Sequence, residues 1–227
     1  MRPEVSAVGN YTPDLFSDTL SPMATSEYEA MAWYYDALLE PVLASMRRRI
    51  VAMAEVRQGM KVLEVACGTG AQAVRFKKAG ADYTGVDLSA AMLEVAGRKK
   101  LECLHADGTN LPLPDAGFDL STISLALHEV DPVIRQRIIE EMVRVTKPGG
   151  ILLLADYVVS ARRDPYSRLA GASIHLIEKM VGGSHYSNYQ VFMASGGLDA
   201  FTRPFGLEPA GERRIFGDTV ALLKLRR

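Results

Sequence analysis

Cysteine is scarce in this chain. Cys67 and Cys103 are the only two among 227 residues, and neither sits in a CxxC pair. A zinc ribbon or a disulfide framework is therefore excluded as the organising device, and reduced thiols inside a cell fit better. Two thiols are also too few to converge on a soft metalloid substrate such as arsenic. Excess charge is missing as well: 26 Lys and Arg face 27 Asp and Glu, a formal charge of −1. No global field then draws the chain to nucleic acid or to an acidic membrane. Long apolar runs are absent too. The strongest, Ile151 to Ala155, falls far short of the roughly 20 residues that span a bilayer. The first ten residues carry no apolar segment behind a basic start, so no secretory signal is expected. Internal repeats and low-complexity tracts are not seen. The expectation is a cytoplasmic protein without stable membrane insertion, with peripheral contact left open and oligomeric state unread.

What is present is ordinary globular material, 48% hydrophobic and 23% charged. A chain of this length supports a single domain, 1–227, with a real core. Residues 1 to about 24 are rich in Pro, Ser and Thr and read as a loose arm. A helical pattern starts at Ser26, with Tyr28, Met31, Tyr34 and Tyr35 crowded together. A second helical stretch follows Pro41 and ends near Val56, carrying Arg47, Arg48 and Arg49 on a solvated face. Together, 1–58 make an N-terminal arm and helical lid.

From residue 59 to 160 strands and helices alternate. Strands are expected at Val62–Ala66, Tyr83–Asp87, Leu101–His105, Phe118–Leu125 and Gly150–Val158. Helices are expected at Ala71–Ala79, closed by Gly80, at Ala90–Lys100, capped by Ser89, and at Pro132 to Thr146, ended by Pro148-Gly149-Gly150. Alternation of this kind builds a parallel sheet with helices on both faces. In 161–227 a helix is expected at Tyr166–Val181, a break at Gly182-Gly183, and a shorter helix near Asn188–Ala200. Two last strands, Leu207–Ile215 and Thr219–Leu225, are joined by Gly217-Asp218 and should pair antiparallel. The fold class is thus α/β, a Rossmann-like, seven-stranded, mostly parallel sheet closed by a C-terminal antiparallel hairpin. That closure is foreign to the usual dinucleotide fold.

The chemistry begins at Val62-Leu63-Glu64-Val65-Ala66-Cys67-Gly68-Thr69-Gly70, a buried strand running into a glycine turn and then a helix. Glycine lets a ligand lie against bare backbone. Asp87 follows Gly68 by 19 residues at the end of the next apolar run, the spacing of an acid that takes ribose hydroxyls. Gly68 to Ala73 also satisfies the relaxed dinucleotide fingerprint GxGxx(G/A), so a nicotinamide cofactor is open at this point. Glu64, inside the strand, either reaches the cofactor or orients the turn. His105-Ala106-Asp107-Gly108 places an acid past strand three, where it can accept from an adenine amine. Each feature has a plainer reading: a tight strand–helix turn for Gly68 and Gly70, a helix N-terminal acid for Asp87, a turn residue for Asp107.

Glu64 with Gly68-Thr69-Gly70, Gly85-Val86-Asp87-Leu88-Ser89, Asp107 with Leu111-Pro112-Leu113-Pro114, Phe118-Asp119, Leu127-His128-Glu129-Val130 and Lys147-Pro148-Gly149-Gly150 follow one another in order. In that ordered set the chain resembles the class I S-adenosylmethionine-dependent methyltransferases, and within them the quinone and small-molecule methylases. The resemblance covers about residues 28 to 160 strongly and the remainder weakly. It implies S-adenosyl-L-methionine as cofactor, S-adenosyl-L-homocysteine as product, and a small-molecule acceptor. It implies that Ala66, Cys67, Gly68 and Gly70 run under the methionine part of the cofactor. Asp87 would take both ribose hydroxyls, with Leu88 and Met92 beside the adenine. Asp107 would meet the adenine amine next to Gly108, and Ser124 and Leu125 would lie beneath the sulfonium. Tyr35, in an aromatic segment like the one that closes over the cofactor in this family, would contact its carboxylate or methyl region, or else pack in the core.

A sulfonium methyl needs chiefly an aligned nucleophile and no water. A base matters only if the acceptor arrives protonated. His128 is the candidate base, after strand four at the carboxyl edge where open α/β sheets bind ligands; its plainer reading is a packing histidine. Glu129 reads as a salt-bridge or capping residue, and Asp131 as the cap of the next helix. His185, Tyr186 and Tyr189 read as polar aromatics over a substrate pocket, on a loop after a glycine hinge, or else as a surface loop and helix cap; Tyr28, in the N-terminal helix, is a further choice for the substrate. His175 reads as buried and satisfied. A quinone or phospholipid-headgroup acceptor at a membrane surface is an alternative and would need an apolar mouth, built from Met31, Trp33, Met180, Val181 and Phe192. Two rivals of another class stay open: an NAD(P)-dependent oxidoreductase and a cofactor-binding regulator without catalysis. A nucleic-acid acceptor is not expected, since no basic surplus or added recognition domain is present.

Overall fold

A computed structural model describes residues 43–227 of the chain. The arm, the helix expected from Ser26, and Tyr28, Met31, Trp33, Tyr34 and Tyr35 lie outside those residues. A first helix, α1, covers residues 43–54 in its described part. Met46, Ile50 and Ala54, four apart on one stripe, are buried, while Arg48 and Arg49 are exposed as expected and Arg47 is half-buried.

The chain then alternates through β1 (Lys61–Val65), α2 (Ala73–Lys78), β2 (Asp82–Asp87), α3 (Ala90–Gly97), β3 (Cys103–His105), β4 (Phe118–Ser124), α4 (Pro132–Val145) and β5 (Thr146–Tyr157). It continues with α5 (Pro165–Val181), α6 (Gly183–Ala194), α7 (Gly197–Thr202), β6 (Glu208–Ile215) and β7 (Val220–Arg226). The seven strands form one sheet in the order β3-β2-β1-β4-β5-β7-β6. Strands β1 to β5 pair in parallel, and β7 lies antiparallel between β5 and β6. The expected sheet and closing hairpin are both found.

The central strands are apolar on both faces because both faces are covered. Leu63, Leu120, Leu152, Leu153 and Leu154 are fully buried, each burial being worth about 1.5–3 kcal/mol. The edge strand β6 is exposed along most of its length. Helix ends follow local chemistry. Ser89 accepts from the Met92 amide at 3.3 Å and opens α3. Asp131 accepts from the Val133 amide at 2.8 Å, with Pro132 in the first turn, and opens α4. Ile138, Met142 and Val145 form the buried stripe of α4.

Three local expectations are corrected. The strand expected at Gly150 starts at Thr146. Thr146 stands directly before the Lys147-Pro148 pair, and its extended backbone (ψ 138°) pairs it with Phe118. The ladder then slips and resumes at Leu120 with Ile151. Second, the helix expected near Asn188–Ala200 starts at Gly183 and is broken in two, because Gly196 and Gly197 take φ of +101° and +64°. A Cβ on Gly197 would stand 2.8 Å from the Tyr157 carbonyl oxygen, so the close approach needs glycine. His185, Tyr186 and Tyr189 therefore sit on helix α6 and not on a loop, since Gly182 (φ 73°, ψ −164°) and Gly183 (φ 58°) make the break between them and the helix resumes at once. Third, His175 is exposed instead of buried, although its ring meets Tyr186 and Tyr189 of α6.

Candidate active site

Strand β1 delivers the chain into a turn that only small residues can follow. Ala66, Gly68 and Gly70 have φ of 55°, 53° and 72°. A Cβ on Gly70 would lie 2.2 Å from the Leu101 side chain, so this glycine also seats the turn against the loop before β3. Asp87, at the end of β2, locks the turn. Its Oδ2 accepts from the Gly68 amide at 2.7 Å and its Oδ1 from the Ser89 amide at 2.9 Å. One carboxylate thus fixes both the glycine turn and the start of α3, and each oxygen keeps a lone pair.

Glu64 is 3% exposed and accepts from the Tyr83 hydroxyl at 2.7 Å. Burial pushes its carboxyl up to about 8, while the Tyr83 hydrogen bond and the charge of Arg47 pull it down. Cys67 is buried beside Cys103, and both sulfurs come within 2.9 Å of where a Gly85 Cβ would stand. Burial pushes the Cys67 thiol up, which keeps it protonated and unreactive. Past β3, Asp107 is exposed and accepts from the Thr109 amide through Oδ1 at 2.8 Å. Gly108 packs on Val65, where a Cβ would come to 3.0 Å. His105 Nε2 lies 2.8 Å from the Leu88 carbonyl and ties the ends of β2 and β3 together.

The second centre forms one strand over. Ser124 ends β4, and Leu125 (φ 51°) turns the chain while its amide donates to the Ala155 carbonyl at 2.8 Å. Leu127 and His128 follow, both buried. They are held by Asp156, a fully buried acid on β5. Its Oδ2 accepts from the Leu127 amide at 2.9 Å and the His128 amide at 3.3 Å. Its Oδ1 accepts from the Tyr157 amide at 2.7 Å and meets His128 Nδ1 at 2.6 Å. Arg135 clamps the other side, donating at 2.7 Å to the Leu127 and Val130 carbonyls with its guanidinium 4.5 Å from the Phe192 ring. Phe192 is therefore a core residue, and the apolar mouth expected to include it loses that member, although Met180 is 69% exposed.

Glu178, buried on α5, completes the cluster. The Tyr157 hydroxyl donates to its Oε1 at 2.8 Å, and His185 Nε2 lies 2.5 Å from Oε2. His128 Nε2 is 3.6 Å from Glu178 Oε1 and 4.0 Å from Glu129 Oε1. Burial acts to lower the His128 imidazole, but the charge and hydrogen bond of Asp156, then Glu129 and Glu178, outweigh it and raise the ring to about 9. Burial raises the Glu129 carboxyl, an effect that water moderates because 38% of this side chain is exposed. Tyr189 and His185 lie edge-on to the His128 ring, at 6.3 and 5.7 Å between centroids. Tyr186 points instead to His175, 3.1 Å from hydroxyl to Nε2.

Of the expected site residues, Glu64 to Gly70 and Asp87 are thus gathered at one turn, and His128, His185 and Tyr189 at one cluster. Asp156, Glu178 and Arg135 were missed. Their signal was faint: a lone acid closing an apolar strand, a lone acid on a helix, and one of two arginines in a mixed helical turn. A concavity of about 710 Å³ lined by Gln58, Asp119, Lys147 and Lys224 lies at the amino ends of the strands. It touches none of these residues and is at the wrong edge for ligands of an open α/β sheet.

Comparison with known proteins decides among the cofactors. The model of a methyltransferase domain matches residues 63–154. The chain is 42% identical over 113 residues to a demethylmenaquinone methyltransferase of Paenarthrobacter aurescens (strain TC1), a match covering 49% of this chain and 44% of that protein. It therefore spans less than half the length of that relative. With the demethylmenaquinone methyltransferase of Clavibacter sepedonicus it shares 32% identity over 178 residues, 72% of each chain. The chain belongs to the class I S-adenosylmethionine-dependent methyltransferases. A solved methyltransferase from Aquifex aeolicus has the same fold, with a TM-score of 0.55 at 17% identity over 79% of this chain and 88% of that one.

The residues of this chain fit the family cofactor. A Cβ on Gly68 would meet nothing within 4 Å, so the turn offers open room directly beside Asp87. Leu88, next in the chain, stands 67% exposed, an apolar side chain free to meet a flat ring. Met92 is half-buried on the first turn of α3. No helix among the described residues is long and apolar enough to cross a membrane.

Proposed function

We propose that this chain transfers a methyl group from S-adenosylmethionine to a small-molecule acceptor. The observation that carries the reading is the pair of centres at the carboxyl ends of adjacent strands β1 and β4: a glycine turn locked by Asp87, and a buried His128 locked by Asp156. When bound, the cofactor supplies an electrophilic methyl on a sulfonium. Gly68 and Gly70 give it backbone to lie on, with Ala66 and Cys67 beside them. The free lone pairs of Asp87 take the ribose hydroxyls, and Leu88 and Met92 flank the adenine. The free oxygen of Asp107 takes the adenine amine, next to Gly108, and Ser124 and Leu125 border the reacting methyl.

His128 faces the acceptor. Asp156 occupies its Nδ1, which leaves Nε2 for the acceptor. Held up to about 9, the ring is protonated at neutral pH. It therefore donates a hydrogen bond as it stands, and serves as a base only after giving up that proton. Tyr189 and His185 wall the same space and exclude water. The acceptor class we favour is a demethylated menaquinone or a similar ring, on the strength of the two relatives that share 42% and 32% identity. The test is equilibrium binding followed by turnover. S-adenosylmethionine and S-adenosylhomocysteine should bind and nicotinamide cofactors should not. Tight nicotinamide binding without affinity for either sulfur compound would overturn the reading.

A further inference from the structure

We infer that His128, Glu129 and His185 form a site for a divalent transition-metal ion on the acceptor side of the molecule. One ligand atom from each of the three lies within 4.8 Å of the other two. His128 is 2% exposed, yet its Nε2 makes no hydrogen bond among the described residues and faces Glu129 and Glu178. Its other nitrogen is held by Asp156 at 2.6 Å. A carboxylate behind the far nitrogen is how proteins orient a metal-binding imidazole and raise its basicity. His185 is held by Glu178, whose Oε2 lies 2.5 Å from its Nε2.

The segments carrying the ligands are also tied to each other. Asn188, one turn after His185 on α6, donates through its side-chain amide to the Glu129 carbonyl at 2.8 Å. Bonds of about 2.0–2.2 Å to one ion bring ligand atoms to roughly 3–3.5 Å from each other. The 4.0 Å between His128 Nε2 and Glu129 Oε1 must therefore shrink by roughly 0.5–1 Å, and a separation at the 4.8 Å limit of the triad by up to about 2 Å. Glu129 can supply that movement, since 38% of its side chain is exposed and no hydrogen bond among the described residues holds its carboxylate. Charge favours the ion as well. Asp156, Glu129 and Glu178 set three carboxylates around two imidazoles. Two nitrogens and one oxygen suit Zn²⁺, Mn²⁺ or Fe²⁺ and not Mg²⁺ or Ca²⁺, which prefer oxygen. The ion displaces the proton that His128 Nε2 otherwise holds and takes the place of its direct contact with the acceptor; three protein ligands leave positions open, and an acceptor hydroxyl or keto oxygen bound there would be polarised beside the methyl donor.

The site is tested on the whole chain, without acceptor or cofactor, so its failure is separate from any failure of methyl transfer. The chelator-treated protein is titrated calorimetrically with Zn²⁺, Mn²⁺ and Mg²⁺, and with Co²⁺ while its visible spectrum is recorded. One equivalent of a transition metal should bind, more tightly than Mg²⁺. Glu129→Gln and His185→Gln should each weaken binding about tenfold or more, as loss of a supporting contact alone does. Circular dichroism should show both variants folded. No saturable binding, unchanged affinity in both folded variants, or a thiolate-to-cobalt band pointing to Cys67 and Cys103, would each overturn the site.

Discussion

Glu64→Gln separates electrostatics from packing at the glycine turn. The Glu64 carboxyl ionises near 8 in the fold against an ordinary 4.5 in the unfolded chain, because burial outweighs Tyr83 and Arg47. Between those values the folded state holds a proton that the unfolded state has lost. The contribution of Glu64 to stability is therefore fully present below pH 4.5 and is lost as pH rises toward about 8. At about 1.36 kcal/mol per pH unit, the loss between pH 5 and pH 7 is about 2–3 kcal/mol. A glutamine side chain cannot ionise, so the variant lacks this slope, though its amide brings a second buried donor that can lower stability at every pH. Urea unfolding of both proteins at pH 5, 6, 7 and 8 reads the difference. The variant should gain about 2–3 kcal/mol on the wild type from pH 5 to pH 7, equal to about 2–4 °C in Tm per kcal/mol at this size. Parallel stability curves for the two proteins would refute the reasoning.

Asp87→Ala should weaken S-adenosylmethionine binding by about 1.5–3 kcal/mol, the worth of hydrogen bonds to a charged group, and calorimetry showing unchanged affinity would reject its ribose role. Asp156→Ala strips four hydrogen bonds from a buried carboxylate and should cost about 3–5 kcal/mol of stability, measured by urea unfolding; a loss under about 1 kcal/mol, the worth of one ordinary hydrogen bond, would show that Asp156 does not anchor the end of β4. Gly70→Ala places a Cβ against Leu101 at a φ of +72°. It should cost more than about 1 kcal/mol and lower cofactor affinity, whereas a variant with wild-type melting and binding would show the turn to be adaptable.

The sheet was legible because its strands are buried on both faces and announce themselves as short apolar runs between glycine and proline breaks. The glycine turn was legible because Gly68, Gly70 and Asp87 keep a spacing that backbone geometry demands. What escaped was set by contacts between distant segments. Asp156 looks like the end of an apolar strand, and only the return of Leu127 and His128 adds three donors to the neighbouring Tyr157 amide. Glu178 became a site residue because α5 and α6 fold back on each other at Gly182. The same glycine misled the reading of His185 to Tyr189, where polar aromatics after a break suggested a loop and the helix in fact resumed. At Gly196-Gly197 the opposite holds: two adjacent glycines at positive φ divide a stretch whose composition reads as one helix. His175 was misplaced because an apolar stretch of helix does not tell which of its faces is covered.

The most direct test of the account is transfer of a labelled methyl group. The purified chain is incubated with methyl-labelled S-adenosylmethionine and a panel of small acceptors that includes demethylated menaquinone. The account expects label in an acceptor together with an equal amount of S-adenosylhomocysteine, and less of both in Asp87→Ala at a cofactor concentration that does not saturate it. Normal binding of S-adenosylmethionine with no label in any acceptor would contradict it, and would make the chain a binding protein for the cofactor.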